Sequence, residues 1–282
     1  MNVTQLLDDA TAQIAATLGL EKREARLEAR VLASFAWDVE TAWLIAHDTD
    51  ALSDIQIAAF QALLAQRLQG RPIAYLVGMR EFYGRPFQVS PDVLIPRPDT
   101  ELLVELALAR LPPDQPLDVL DLGTGSGCIA ITLALQRPLA RMTAVDRSNE
   151  ALAIAQHNAD DLNAHIEFLT SNWFSALDKR SFDLIVSNPP YIAATDPHLA
   201  RGDVRFEPMS ALAAGHDGLD ELRHLIPAAC AHLNPGGSLL LEHGYDQAEA
   251  VQALLRMNKI QPAQSWVDLA GILRVSGGKL SE

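Results

Sequence analysis

Along the first 75 residues, apolar side chains recur at intervals of three and four. Val3, Leu6, Leu7, Ala10, Ile14 and Leu18 line one face of a predicted helix, and Gly19 supplies its stop. A second periodic stretch runs from Glu24 to Phe35, and a short one covers Thr41 to His47. In Leu52-Ser53-Asp54-Ile55-Gln56-Ile57, Ser53 and Gln56 have the spacing of a capping box, with Leu52 against Ile57 as a hydrophobic staple. The helix opened there ends near Gln69, just before Gly70 and Pro72. No alternation of period two interrupts this region, so residues 1–75 predict a small helical domain.

The pattern changes over residues 76–98. Glu81-Phe82-Tyr83 and Phe87-Gln88-Val89 flank Gly84-Arg85-Pro86 and predict a hairpin, and Pro91, Pro96 and Pro98 then stiffen the chain into a linker. A helix follows from Thr100-Glu101 to about Arg110. From Leu117 onward, short apolar runs at 117–122, 141–145, 165–169, 182–186 and 238–241 alternate with helical patterns at 128–136, 149–163 and 220–233. A helix at 247–257 and apolar runs near Trp266 and at 272–275 complete the series. Such alternation predicts an α/β fold over 99–282, a mostly parallel sheet covered on both faces.

Composition narrows the class. Of 282 residues, 49% are hydrophobic and 21% charged, which fits a globular chain. No charge-free apolar stretch reaches the length of a membrane span, and MNVTQLLDDATAQ has an early Asp pair in place of the basic start of a signal peptide. Cys128 and Cys230 form no CxxC, which suits a reducing cytoplasm and argues against a thiolate metal site. The eight histidines show no metal-ligand spacing, so no metal is expected. A net charge of −14 disfavours a nucleic-acid substrate, because affinity for phosphate backbones comes from Lys and Arg.

Candidate chemistry sits at strand ends. The first strand runs into Gly123-Thr124-Gly125-Ser126-Gly127, a turn whose glycines permit close backbone approach and whose following helix supplies N–H donors. A dinucleotide fingerprint wants Gly or Ala at position 128, which is Cys; the loop therefore suits a cofactor without a pyrophosphate. Asp146 ends the second strand, where a carboxylate grips ribose hydroxyls. The fourth strand ends in Ser187-Asn188-Pro189-Pro190-Tyr191, a segment that two prolines make rigid. Together these features resemble the class I S-adenosylmethionine-dependent methyltransferases. Among those, Asn-Pro-Pro-aromatic is typical of enzymes that methylate planar amino nitrogens: adenine N6, guanine N2 and the glutamine side-chain amide.

That chemistry has a physical reason to want this motif. An amide or exocyclic amine nitrogen is a poor nucleophile because its lone pair is delocalised. The Asn188 side-chain carbonyl and the Pro189 backbone carbonyl offer two acceptors for its two hydrogens, and the Tyr191 ring can pack on the planar group. Alignment of this kind is worth roughly 7–11 kcal/mol of barrier in favourable cases. Other candidates have two readings each. Trp173, after Asn172 beyond the third strand, is either a cofactor contact or core. Glu242 and His243, ending the fifth strand, lie near the site by topology or are satisfied polar groups. Arg201, Arg205 and Glu207, in the long segment 192–218, line a substrate lid or belong to a solvated loop.

Further stretches narrow the resemblance. Val93-Leu94-Ile95-Pro96-Arg97-Pro98-Asp99-Thr100-Glu101, the glycine loop, Ser187–Ile192, Asp203-Val204-Arg205-Phe206-Glu207-Pro208 and Leu240-Leu241-Glu242-His243-Gly244, in that order, resemble the peptide chain release factor glutamine methyltransferases (the HemK/PrmC family) over nearly the whole chain. The resemblance implies a Rossmann-like methyltransferase domain of seven strands behind a helical substrate-recognition domain and a hairpin linker. It implies a substrate, the glutamine of the Gly-Gly-Gln loop of class I release factors, methylated on its side-chain amide. Gly123, Thr124, Gly125, Ser126, Gly127, Asp146, Asn172, Trp173 and Asn188 would then bind S-adenosylmethionine, and Asn188, Pro189, Pro190 and Tyr191 would hold the glutamine. Two departures stand out: Asp99 where the family commonly has Glu, and Asn172 where an Asp is expected before Trp, which removes the charge from any adenine contact there. The main rival is an RNA or DNA amino-methyltransferase taking a flipped base, which would call for basic clusters with interleaved aromatics that this chain lacks. A catalytically dead binding module would need a damaged motif, and both motifs are intact.

Overall fold

The helical periodicity of the N-terminal region becomes five helices in the computed structural model, which describes residues 1–281. Helix α1 (Val3–Leu18) stops at Gly19, whose φ of 70° closes it in the left-handed region. It opens on a capping box between Asn2 and Gln5 that the pattern of apolar positions did not reveal. Helices α2 (Lys22–Trp37) and α3 (Thr41–Ala46) follow, and α4 (Asp54–Leu68) starts on the expected Ser53–Gln56 box. A short α5 (Ile73–Val77) ends the series. Val3, Leu7, Ile14, Leu32, Phe60 and Leu64 form its core.

The chain forms two compact units, Met1–Met79 with Ala200–Phe206, and Arg80–Leu199 with Glu207–Glu282. The division thus falls at Met79, where the sequence pattern marks 1–75 and a separate linker over 76–98, and a piece of the 192–218 segment belongs to the first unit. Within that unit, buried Arg67 donates to both carboxylate oxygens of Glu28 at 2.8 Å and to Asp203 at 2.9 Å. Arg205 donates to the Gln69 carbonyl at 3.0 Å.

The second unit opens with the expected hairpin, β1 (Met79–Phe82) and β2 (Arg85–Gln88), whose Phe82 and Phe87 join the larger core. The remaining elements are α6 (Glu101–Leu108), β3 (Asp118–Leu122), α7 (Cys128–Gln136), β4 (Arg141–Asp146), α8 (Asn149–Asp161), β5 (Glu167–Thr170), β6 (Phe182–Ser187), α9 (Asp220–His232), β7 (Leu233–Glu242), α10 (Ala248–Met257), β8 (Ile260–Val267) and β9 (Leu273–Leu280). Strand order is β5-β4-β3-β6-β7-β9-β8; β9 runs antiparallel to both neighbours, and the other pairings are parallel. This is the mostly parallel seven-stranded sheet that the alternation predicts. Successive strand residues point to opposite faces. Val119, Leu184, Val186 and Leu240 pack with α6 and α7, while Leu120, Leu122, Ile185, Leu239 and Leu241 pack with α9 and α10. Among the described residues, no helix is long and apolar enough to cross a membrane.

Candidate active site

From β3 the chain winds outward through β4 and β5, then returns to β6 on the other side of β3. The switch point lies between β3 and β6, and open α/β sheets bind their ligands beyond the carboxyl ends of strands at such a point. Leu122 pairs with Ser187 there, so the glycine loop and Asn188 leave adjacent strands at one level. A cavity lies against them, lined in part by Gly123, Thr124, Gly125, Ser126, Asp146, Asn172, Trp173, Asn188 and Pro190. Gly127, Pro189 and Tyr191 are not on that lining.

The glycine loop is held from several sides. Gly123, Gly125 and Gly127 have φ of 73°, 55° and 80°, which L side chains rarely adopt. A Cβ on Gly125 would meet open space, whereas one on Gly127 would press on Ile131 and Ala155. Asp146 accepts from the Gly125 N–H and the Ser148 N–H, each at 3.0 Å, and so fixes the loop to the end of β4. Asn158, which no motif announced, is buried and donates to the carbonyls of Ser126 and Gln88, tying the loop to the hairpin. Asp121, fully buried beneath the loop, accepts from Thr124 Oγ1 at 2.6 Å. Burial, with Asp146 adding, pushes its carboxyl up to about 7 against that hydrogen bond. Burial likewise pushes the Cys128 thiol up to about 12, so it is inert at neutral pH.

Past β5, Trp173 sits at φ 53°, and its Nε1 donates to Glu221 at 2.9 Å. Its ring edge lies 3.3 Å from the Cβ position of Gly123, so the indole borders the loop directly. Asn172 lines the cavity beside it, its backbone N–H donating to Ser175 Oγ at 3.1 Å.

The segment after β6 is anchored at both ends. Ser187 Oγ donates to the Leu122 carbonyl at 2.7 Å, and Gln247 donates to the Tyr191 carbonyl at 3.0 Å. Asn188 Nδ2 donates to Thr100 Oγ1 at 3.2 Å, and no donor among the described residues reaches its Oδ1. Tyr191, which is not on the cavity lining, donates through its hydroxyl to Glu242 Oε1 at 3.3 Å. Burial pushes that phenol well above its usual range. Glu242, at the end of β7, is 1% exposed, and burial pushes its carboxyl up to about 7, with Asp99 adding and the neighbouring Thr100 and Tyr191 hydroxyls opposing. Its Oε2 has no hydrogen-bond partner. His243 next to it bonds the Gly244 carbonyl and Ser276, and burial lowers its pKa.

Of the three residues singled out in the 192–218 segment, none lines the cavity. Pro208, Ser210 and Ala211 do so instead. Glu207 is buried, accepting from the Ile95 N–H at 3.0 Å and from the Arg97 guanidinium, and Arg97 in turn lines the cavity.

Residues 5–78 match the family profile described as PrmC N-terminal domain, and residues 99–202 match Methyltransferase small domain. A release factor glutamine methyltransferase of Bordetella pertussis is 53% identical over 256 residues, spanning 90% of this chain and 95% of that protein. The protein of that name from Escherichia coli is 46% identical over 257 residues, spanning 90% and 92%. Among solved structures, a methyltransferase from Pyrococcus furiosus matches with a TM-score of 0.55 at 16% identity, over 77% of this chain and 98% of that one. A SAM-dependent methyltransferase from Agrobacterium tumefaciens gives 0.52 at 17% identity, over 72% and 70%. At such identities the two structures speak for the fold alone.

Proposed function

The chain belongs to the release factor glutamine methyltransferase family, and from that premise we infer that it transfers a methyl group from S-adenosylmethionine to the side-chain amide nitrogen of the Gly-Gly-Gln glutamine of class I release factors. One observation carries the reading: a glycine loop and Asn-Pro-Pro-Tyr leave neighbouring strands β3 and β6 at the same level, with Asn188 on the wall of the shared cavity.

The cradle fits the cofactor. The loop offers bare backbone at Gly125, where a side chain would project into open space, and the Trp173 ring borders it. Asp146 and Glu221 give the lining carboxylates suited to a cationic ligand with ribose hydroxyls. S-adenosylmethionine, when bound, supplies an electrophilic methyl on a sulfonium. Asn188 then accepts one N–H of the substrate amide through Oδ1, its Nδ2 being committed to Thr100. The Pro189 carbonyl, set by two fixed φ angles, accepts the second. Held by both hydrogens, the nitrogen would turn its lone-pair direction toward the methyl; as the N–C bond forms the methyl–sulfur bond would break, with its electron pair staying on sulfur in S-adenosylhomocysteine, and the nitrogen would release one proton to solvent. No strong base is required, because the nitrogen becomes acidic only as that bond forms. The helical unit recognises the protein substrate, and the setting is the cytoplasm, where Cys128 and Cys230 stay free thiols.

The test offers purified protein and S-adenosylmethionine to release factor, total RNA and DNA in parallel. Methyl is expected on the peptide carrying the Gly-Gly-Gln glutamine, and Asn188→Ala should lower the single-turnover rate by more than about tenfold while weakening cofactor binding far less. Methyl found in nucleic acid with none on release factor would refute the reading in favour of an adenine or guanine amino-methyltransferase.

A further inference from the structure

The cavity wall formed by the end of β5 and the start of α9 carries a carboxylate that no motif announced. Trp173 Nε1 donates to Glu221 Oε2 at 2.9 Å, and both side chains are half-buried on the cavity lining. Trp173 holds a φ of 53°, which costs a bulky residue free energy and persists where the surroundings over-determine it. Glu221 is one of those surroundings. Its other oxygen, Oε1, receives no donor from the described residues.

Sheet order decides which part of the cofactor meets this wall. From β6 through β3 and β4 to β5, the lining passes from Asn188 to the glycine loop, to Asp146, and then to Asn172 and Trp173. In S-adenosylmethionine the ribose bears the sulfonium arm at C5′ and adenine at C1′, so it lies between them. With the methyl delivered at Asn188 and the ribose hydroxyls at Asp146, adenine falls at the β5 end, beside Trp173 and Glu221. Its exocyclic N6 amine is a donor and needs an acceptor there. Asn172 is exposed, and its amide can turn either an oxygen or an NH₂ to a ligand, so it cannot demand an amine. A carboxylate only accepts. Asp146 is already engaged by two backbone N–H groups, and Asp92, on the linker, by Ser90 Oγ. Glu221 has the free oxygen.

We propose that Glu221 selects adenine: one oxygen holds the Trp173 indole, and the other accepts from the exocyclic amine of the bound cofactor. It thereby supplies the charge that Asn172 lacks. The proposal rests on S-adenosylmethionine as cofactor and on delivery of its methyl at Asn188. Glu221→Gln keeps the shape and an oxygen for Trp173, and turns its new NH₂ toward the base.

The experiment measures, by calorimetry on the full-length protein, affinity for S-adenosylhomocysteine and for S-inosylhomocysteine, whose base carries a carbonyl in place of the amine. Tm is recorded alongside. The parent should prefer the adenine ligand by at least about tenfold, because the carboxylate and the carbonyl would face each other without a proton between them. In Glu221→Gln the preference should fall to within about threefold, with Tm close to the parental value. Asn172→Ala should weaken both ligands alike and keep the preference. A parent that binds S-adenosylhomocysteine without preference refutes the proposal alone. So does Glu221→Gln with the parental preference, or Asn172→Ala without it. If Glu221→Gln fails to fold, Asn172→Ala decides: a kept preference supports the proposal and a lost one refutes it. A parent that binds neither ligand refutes the cofactor on which the functional reading stands, and the proposal with it.

Discussion

Replacing Gly127 by Ala places a methyl 2.9 Å from Ile131 Cδ1 and 3.1 Å from Ala155 Cβ, at a φ of +80°. The left-handed backbone costs an Ala about 1–2 kcal/mol, and overpacking a close-packed site costs about 1–3 kcal/mol. The end of Ile131 can swing aside, but the Ala155 backbone, whose Cα is 3.3 Å away, cannot do so cheaply. The total is about 2–5 kcal/mol, a large fraction of the stability of a typical domain. Gly125→Ala is the control. Its φ is +55° and its Cβ meets nothing within 4 Å, so only the backbone penalty of about 1–2 kcal/mol applies. That methyl stands at the cavity wall instead, where it should obstruct the cofactor. Urea denaturation followed by circular dichroism measures the first effect, and calorimetry with S-adenosylhomocysteine the second. Gly127→Ala should show the larger loss of stability, and Gly125→Ala the larger loss of affinity relative to its loss of stability. Should Gly127→Ala unfold at the urea concentration of Gly125→Ala, the argument from close approach to Ala155 would be wrong.

In the helical unit, Arg67→Ala strands Glu28, whose side chain is 15% exposed, and Asp203, which is 38% exposed. Breaking a buried pair by removing one partner costs about 3 kcal/mol at the lower end of the usual range, which fits the partial exposure of Asp203; thermal unfolding should read this as a lower Tm, and an unchanged Tm would contradict it. The pH dependence of stability isolates Asp121. Its carboxyl is raised to about 7 in the folded chain, so the folded state holds the proton more tightly, and stability is lost as pH rises between the ordinary Asp range and about 7. Glu242 adds a loss of the same sign up to about 7, while buried His243, held neutral, works in the opposite direction below its ordinary range. Asp121→Asn removes only the first contribution. The parent should therefore lose about 2–3 kcal/mol more than Asp121→Asn between pH 5 and 7, at ~1.4 kcal/mol per unit. Parallel urea curves for the two proteins across that range would dispose of the claim.

Where one short stretch carries its own constraint, the sequence was a sufficient guide. Gly19 ends α1 because only a residue tolerant of positive φ closes it there, and Ser53 with Gln56 cap α4 from within four residues. The alternation after Leu117 yields a mostly parallel sheet covered on both faces, because βαβ units leave few topologies open. Short elements without room for a period escaped notice: α5, and the 3₁₀ turns at Pro197–Ala200, Val204–Phe206 and Met209–Ala211. The start of β8 was hidden by Pro262, which an edge strand tolerates because one side of its ladder is unpaired. Partners far apart in sequence were also illegible. Nothing near Asn158 announces that it braces Ser126, and Glu207 reads as part of a substrate lid or of a solvated loop until Ile95 and Arg97 close over it.

The same division of labour explains how one motif can serve several acceptors. In the mechanism proposed above, Asn-Pro-Pro-Tyr offers two acceptors at fixed positions and asks only for a planar nitrogen carrying two hydrogens, which an adenine amine and a glutamine amide provide equally well. The doubly wound sheet adds no discrimination, since it positions the cofactor and the motif for any of them. Choice of substrate must therefore come from groups outside the four residues. Pro208, Ser210 and Ala211 line the cavity from the segment that follows the motif. A few residues earlier the same segment joins the helical unit, where Asp203 pairs with Arg67. These groups are small, apolar or already paired, and they offer no row of free Lys and Arg to a phosphate backbone. A neutral glutamine on a protein loop makes no demand for such a row. With a net charge of −14, the chain is better matched to that substrate than to a polyanion.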